Sequence, residues 1–295
     1  MQTKIIDGSA IAAAIKDEVR QDTALLREKW DIAPGLAFLL VGDNAASRSY
    51  VASKEKACDY CGFHSSTVQL PGDATQQQVL AQIDTWNIDP DIHGILVQLP
   101  LPDHIDENKV IEAVVPRKDV DGFHPVNVGK LSIGQECFAP CTPAGIQELL
   151  VRSNIPTAGK HVVVVGRSNI VGKPIAAMLL QKSATANAVV TVAHAAAGDL
   201  SRYTRDADIL IVATGRVNTV TADMVREGVV VIDVGINRVE DAGAPKGYRI
   251  TGDVDFEGVA PKASAITPVP GGVGPMTIAM LMRNTLQAAQ RAARQ

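Results

Sequence analysis

The sequence predicts an α/β protein of two domains, and three observations lead there. Short, nearly continuous apolar runs alternate with stretches of helical periodicity along most of the chain. The later runs are rich in Val and Ile at successive positions, the pattern of parallel strands covered by helices on both sides. At 295 residues the chain has room for two domains of about 150 residues each.

In the N-terminal half, residues 36–41 (LAFLLV), 65–70 and 93–99 read as buried strands. Between them, residues 9–30, 45–61 and 75–86 carry apolar side chains at helical spacing, with Ser9 and Thr75 as candidate N-caps. A turn-rich stretch over 115–125 is followed by a helix from Thr142 to about Arg152, with Pro143 at its first position. The rhythm then returns more strongly. Residues 161–165, 189–193, 209–213 and 229–234 are β-branched strands, separated by helical candidates at 173–181, 200–206 and 222–227. A second loop, TPVPGGVGPMT from Thr267 to Thr277, leads into a last helix from about Met276 to Arg294. By pattern alone that helix suits either domain.

Composition removes several function classes. The chain is 46% hydrophobic, enough for sizeable cores, and its net charge of −4 supplies no basic excess for phosphate backbones. Aromatic residues make up only 4%, leaving few platforms for stacking bases, so no nucleic-acid partner is expected. No apolar stretch approaches the ~18 residues of a membrane span. Met1–Asp7 meets charge before any apolar run, so no secretory leader is expected either. The pattern suits a cytoplasmic protein. Cys58 and Cys61, with Cys137 and Cys141, read as buried structural thiols rather than zinc ligands, and the six histidines show no metal-binding spacing.

Several residues are candidates for chemistry. The strand ending at Val165 runs into Gly166-Arg-Ser-Asn-Ile-Val-Gly172 and then a helix. Such a turn can present backbone N–H groups to a pyrophosphate, or it can be an ordinary strand-to-helix connection. The next strand ends in Ala193-His-Ala-Ala-Ala197, without the carboxylate that usually holds an NAD ribose. Arg167 could meet a 2′-phosphate instead, which favours NADP, or be a solvated loop cation. Tyr50 and Lys54 share a helix face, with Cys58 one turn on. The pair could stack a flat heterocycle and move a proton beside it, or be a solvated lysine next to a half-buried tyrosine. Gln98 closes the strand in GILVQLPLP, at the mouth where ligands bind in parallel sheets, though a turn-stabilising role fits it as well. Asp119 and Asp121 form an acidic turn that reads as an Asx-turn; the glutamate of a Ca²⁺ loop is missing.

Together these segments form a recognisable order. The strings VGDNAASRSYVASKEKAC, GILVQLPLP, KDVDGFHPVNVGKL, PCTPAGI, VVVVGRSNIVGKP, DILIVATGR, VIDVGIN, GDVD and ITPVPGGVGPMT run from about residue 3 to residue 290. They resemble the bifunctional methylenetetrahydrofolate dehydrogenase/methenyltetrahydrofolate cyclohydrolase family, in its compact form. The resemblance implies a folate-binding catalytic domain of residues 1–143 and 271–295, completed by the C-terminal helix. A Rossmann-like dinucleotide-binding domain, residues 144–270, would be inserted within it. By resemblance Lys54 is the catalytic residue, Gln98 holds its amine, Tyr50 packs against the pterin and aminobenzoate, and Asp121 hydrogen-bonds the pterin. Pro268, Pro270, Gly271 and Gly272 would form the other wall of the folate site. Gly166, Arg167, Ser168, Ile236 and Thr277 would contact the dinucleotide. The implied reactions oxidise 5,10-methylenetetrahydrofolate with NADP and then open the product to 10-formyltetrahydrofolate, without a metal. A homodimer joined through nucleotide domains is also implied. One departure stands out: relatives often carry Cys-His-Ser, a basic residue and Thr where this chain has Ala193–Ala197, so a serine and a cation near the 2′-phosphate are missing. Two other readings compete: a different two-domain NAD(P)-dependent oxidoreductase, and a non-catalytic dinucleotide-binding regulator.

Overall fold

The computed structural model describes residues 3–244 and 247–294. In chain order the first elements are β1 (Lys4–Ile5), α1 (Gly8–Trp30), β2 (Gly35–Val41), α2 (Ala45–Cys61), β3 (His64–Leu70) and α3 (Gln76–Ile88). There follow β4 (Gly94–Val97), α4 (Glu107–Ala113), α5 (Pro125–Ser132) and α6 (Cys141–Arg152). The second half holds β5 (His161–Val165), α7 (Gly172–Leu179), β6 (Val189–Ala193), α8 (Ser201–Thr204), β7 (Ile209–Val212) and β8 (Val230–Asp233). It ends with β9 (Asn237–Glu240), β10 (Tyr248–Thr251), α9 (Phe256–Val259), β11 (Ala265–Ile266) and α10 (Val273–Ala292).

Contacts divide the chain into two units. One comprises Ala13–Cys141 and the chain from Ile278 onward; the other comprises Thr142–Thr277 and the chain up to Ala12. All three boundaries fall inside helices: α1, α6 and α10. This division differs from the expected 1–143 and 271–295 against 144–270 at residues 1–12, 142–143 and 271–277. For the N-terminal residues the reason is pairing: β1 lies parallel to β11, with Lys4 opposite Ala265 and Ile5 opposite Ile266.

The first unit is built on a parallel sheet in the order β3-β2-β4. Every residue of the central strand β2 is buried, as its unbroken apolar run requires. Ala37, Leu39 and Val41 pack with Val79, Ile83 and Trp86 of α3 and with Val110 of α4. Local signals set the helix ends. Asn44 caps α2 by accepting from the N–H groups of Ala46 and Ser47, and Gly62 stops it in the left-handed region at φ 78°. Thr75 and Gln78 form a reciprocal capping box on α3.

The second unit carries a six-stranded sheet in the order β1-β11-β8-β7-β5-β6, all parallel. From β5 the chain moves first to β6 on one side and then to β7 on the other. Their carboxyl ends therefore make a topological switch point, where ligands bind in such sheets. Beside this sheet, β9 and β10 form an antiparallel pair. The structure departs from the sequence reading in several places. Asp7, not Ser9, caps α1, accepting from the Ala10 N–H at 2.9 Å. Helix α6 begins at Cys141, so Pro143 is its third residue. Residues 222–227 make only a short 3₁₀ turn, because Val225 turns extended and is buried in the core of the sheet. Strand β6 lies at the sheet edge with Val189 and Val192 exposed, so it is not covered on both faces.

Candidate functional site

In the first unit, helix α2 and the end of β4 bring two polar side chains together in an apolar setting. Lys54 is only 9% exposed, and its Nζ donates to Gln98 Oε1 at 3.0 Å. Gln98 Nε2 donates in turn to the Leu99 carbonyl at 2.8 Å, which fixes the amide with its oxygen toward the amine. Burial holds the Lys54 amine below the usual lysine range, against the opposing pull of Asp121 and Cys141. Burial pushes the Asp121 carboxyl up, while Lys54 and the Cys141 thiol draw it down. Tyr50 stands one turn before Lys54 on α2 and is about half exposed, so its ring is open to a ligand. The two side chains that share a helix face are thus joined by Gln98 and Asp121 from distant segments.

The turn that presents Asp121 is held from several sides. The buried Asp119 carboxylate accepts from the Phe123 N–H at 3.2 Å, the His124 N–H at 2.8 Å and Asn127 Nδ2 at 2.7 Å. Desolvation pushes Asp119 up to about 6. Of the two acidic residues, Asp119 therefore closes the turn and leaves Asp121 for the site. From α10, Asn284 Nδ2 donates to the carbonyls of Val120 at 2.8 Å and Ala139 at 3.0 Å. The Cys141 thiol donates to the same Val120 carbonyl at 3.4 Å. Neither Asn284 nor the Cys141 contact was legible in the sequence. The one available signal was an asparagine on the apolar face of a helix. Burial pushes the Cys58 and Cys61 thiols up, so neither supplies a thiolate near neutral pH.

In the second unit, β5 passes through the 166–172 turn into α7. Gly166 takes φ 130°, and a Cβ there would lie 2.2 Å from the Ala213 carbonyl oxygen. A Cβ on Gly172 would meet the Gly166 oxygen at 2.3 Å, so the turn is closed to larger residues. Ser168 Oγ accepts from the N–H groups of Val171 at 3.1 Å and Gly172 at 3.3 Å, leaving its own proton to donate outward. Arg167 is exposed on the same turn. Beside it, the Gly166 N–H donates to the Ala193 carbonyl at the end of β6. The next residue, His194, holds a buried Nδ1 without a hydrogen-bond partner. A glycine cradle at a switch point, with an orphaned ring nitrogen alongside, fits a dinucleotide phosphate.

The other expected residues of this unit lie on two further segments. Ile236 follows β8 and is half exposed. Thr277 shares a 2.9 Å hydrogen bond with Thr142. Pro268, Pro270, Gly271 and Gly272 form the loop between β11 and α10. The Gly271 carbonyl accepts from the Ser9 N–H at 3.0 Å, and Gly272 passes so close to Pro268 that a Cβ would lie 2.5 Å from its oxygen.

Comparison with known proteins matches two family models to the chain, with bounds that differ from the contact division in residues 6–12 and 278–293. A family model for the tetrahydrofolate dehydrogenase/cyclohydrolase catalytic domain matches residues 6–121, and one for the NAD(P)-binding domain of the same enzymes matches residues 140–293. The chain is similar to the bifunctional protein FolD of Syntrophus aciditrophicus, at 58% identity over 99% of both chains. It is 55% identical to bifunctional protein FolD 1 of Myxococcus xanthus, over 98% of both. Among solved structures it resembles the bifunctional FolD methylenetetrahydrofolate dehydrogenase/cyclohydrolase of Campylobacter jejuni, with TM-score 0.92 and 52% identity, over 98% of this chain and 99% of that one. It also resembles the Trypanosoma brucei enzyme complexed with NADP cofactor and inhibitor, with TM-score 0.94 and 39% identity over the whole of both chains.

The Asn284 amide gives a test of how the Asp121 turn is held. Replacing Asn284 with Ala leaves two inward-facing carbonyls without that donor, which costs about 1–3 kcal/mol. The urea midpoint of Asn284→Ala is expected to fall accordingly. An unchanged midpoint would show that the turn holds without it.

Proposed function

We infer how the Lys54 site works from the premise that this chain belongs to the tetrahydrofolate dehydrogenase/cyclohydrolase family. It is a bifunctional, NADP-linked enzyme of one-carbon metabolism acting on tetrahydrofolate derivatives. It oxidises 5,10-methylenetetrahydrofolate to the 5,10-methenyl form and hydrolyses that to 10-formyltetrahydrofolate. This sets aside the unrelated oxidoreductase and the non-catalytic regulator.

The observation that carries the mechanism is the Lys54–Gln98 pair. Hydrolysis adds water to the amidinium carbon with loss of one water proton. The bond to one ring nitrogen then breaks as that nitrogen takes a proton, and the remaining hydroxyl proton passes to solvent as the formyl carbonyl forms, so one proton is released overall. Lys54 carries the first proton from the water to the leaving nitrogen, accepting it at Nζ and then donating it. Burial shifts the amine toward the neutral form that the first transfer uses. Gln98 takes one N–H of the amine and so aims the rest, and as a neutral acceptor it does not lock Lys54 in the ammonium form. A carboxylate in its place would. Asp121 accepts from the pterin, and the Tyr50 ring packs against the pterin and aminobenzoate. Pro268, Pro270, Gly271 and Gly272 are proposed as further folate contacts.

NADP supplies the nicotinamide that takes up the hydride in the oxidation. Gly166, Arg167, Ser168, Ile236 and Thr277 are its contacts: the Gly166 turn and the Ser168 hydroxyl for the phosphates, and Arg167 for the 2′-phosphate. The residues of that step need only orient the two reactants and exclude water, because the substrate's own nitrogens stabilise the cation formed.

Two further proposals concern assembly and place. The edge strand β6 exposes Val189 (62%) and Val192 (42%) beside an unpaired row of backbone groups. Such an edge is normally blunted or covered, and we propose that a second copy of the chain covers it in a homodimer. Four free cysteines suit a reducing compartment, and we place the enzyme in the cytoplasm. Among the described residues no helix is long and apolar enough to cross a membrane.

Three outcomes test these assignments. Lys54→Gln should lower cyclohydrolase activity about 10²–10⁴-fold, the usual worth of a positioned proton-transfer group, while part of the dehydrogenase activity survives. The decay of methenyltetrahydrofolate, corrected for spontaneous hydrolysis, measures it, and near wild-type rates would remove Lys54 from the role. Arg167→Ala should lower kcat/KM for NADP about tenfold, the lower end of a charge-assisted bond because Ala195–Ala197 offers no second set of donors, and leave NAD use nearly unchanged. Equal losses for both cofactors would place Arg167 on the pyrophosphate instead. Sedimentation should show a dimer for the wild type and a monomer when Val189 and Val192 are both replaced by Lys; a dimer in both cases would move the interface elsewhere.

A further inference from the structure

The DVG and GDVD strings contain two buried aspartates that none of the roles above uses. Asp253 is 0% exposed and Asp233 4%. Asp233 ends β8, and its carboxylate accepts from three backbone N–H groups: Gly235 at 2.9 Å, Asp253 at 2.9 Å and Val254 at 3.0 Å. It thereby presents Asp253, whose Oδ2 accepts from the Thr214 N–H at 2.5 Å, the Gly215 N–H at 2.9 Å and the Thr214 hydroxyl at 3.0 Å. Asp253 Oδ1 accepts from Asn237 Nδ2 at 2.8 Å. Two glycines make room for this. A Cβ on Gly235 would lie 2.2 Å from Asp253 Oδ1, and one on Gly252 would lie 1.8 Å from Asp233 Oδ2.

The two carboxylates thus tie together the segment after β7, the turn after β8 and the 252–254 strand end. The β7 segment begins at Ala213, whose carbonyl is the atom that forces Gly166 to lack a side chain. The β8 turn carries Ile236 between two residues, Gly235 and Asn237, that each bond one of the aspartates. A backbone that approaches a ligand this closely has no side-chain slack to absorb a shift, so its position has to be set from behind.

We propose that Asp253, seated by Asp233, is a positioning residue for the dinucleotide, holding the Thr214–Gly215 segment and the Ile236 turn against the crevice at the end of β5. The proposal rests on the assignment of that crevice to NADP. Asp253 touches no reacting atom; it acts through the loops it anchors. The arrangement also explains why aspartate is used rather than asparagine. Four donors converge on its two oxygens, and an amide would turn one of those acceptors into a donor facing donors.

The test compares Asp253→Asn with wild type by calorimetric titration of NADP, by dehydrogenase kinetics, and by cyclohydrolase activity on supplied methenyltetrahydrofolate, which consumes no dinucleotide. Expected are a Kd for NADP raised about tenfold or more, one charge-assisted hydrogen bond's worth, with kcat at saturating NADP nearly kept and cyclohydrolase activity unchanged. A merely structural role would lower both activities together, and that result overturns the proposal. So does an unchanged Kd. If Asp253→Asn does not fold, Thr214→Val removes a single donor to the same carboxylate and should raise the Kd by a smaller, measurable factor; no change there also overturns it. Arg167→Ala separates the two layers. Weaker NADP binding in Arg167→Ala but not in the Asp253 variant overturns only the positioning role, whereas no effect in either removes the crevice assignment too.

Discussion

A buried amine without a carboxylate in direct contact is the constraint around which the first unit is arranged. An ammonium group loses hydration when buried, so desolvation drives Lys54 toward the neutral amine. A directly bonded carboxylate would reverse that effect and hold the proton. The fold instead gives Lys54 a neutral amide oxygen at 3.0 Å and keeps Asp121 as a more remote charge. The balance depends on where Asp121 sits, which explains the number of bonds spent on its turn. Asp119, Asn127, Asn284 and Cys141 all act on the segment from Lys118 to His124, and none of them needs to touch substrate.

The second unit solves a different problem by different means. At the ends of β5, β7 and β8 glycines stand where two segments nearly collide, and main-chain N–H groups there are held by carbonyls and carboxylates of the protein itself. Backbone packed this closely cannot be adjusted by rotamer, so its position depends on the bonds behind it. Asp233 and Asp253 supply that rigidity from within the core, using the strongest acceptors available to main-chain N–H groups. One unit thus tunes side chains and the other aims main chain.

Much of this was legible in the sequence where the signal is local. Helix α2 was bounded correctly, between Asn44 and Gly62, which are terminal signals in themselves; the start of α3 was read from Thr75, which caps it with Gln78, but its end lies at Ile88 rather than Trp86. The strands β5 and β6 were read residue for residue from their β-branched runs. Strands β1 and β11, two residues each, carry no period and exist only because they pair with one another and with β8. The 222–227 segment looked helical by composition, but Val225 is worth more to the core extended than in a helix. Asp7 displaced Ser9 as the α1 cap, a shift that period alone does not resolve.

The sequence by itself determined the alternation of strands and helices, the glycine turn after β5 and the Tyr50–Lys54 face, because each depends on residues a few positions apart. Tertiary structure decided what surrounds them. Gln98 reaches Lys54 across 44 positions, Asn284 reaches Val120 across 164, and Asp253 reaches Thr214 across 39. No periodicity encodes such partners. They are selected by desolvation, which leaves a buried amine, carbonyl or carboxylate stable only where the rest of the chain brings it a partner.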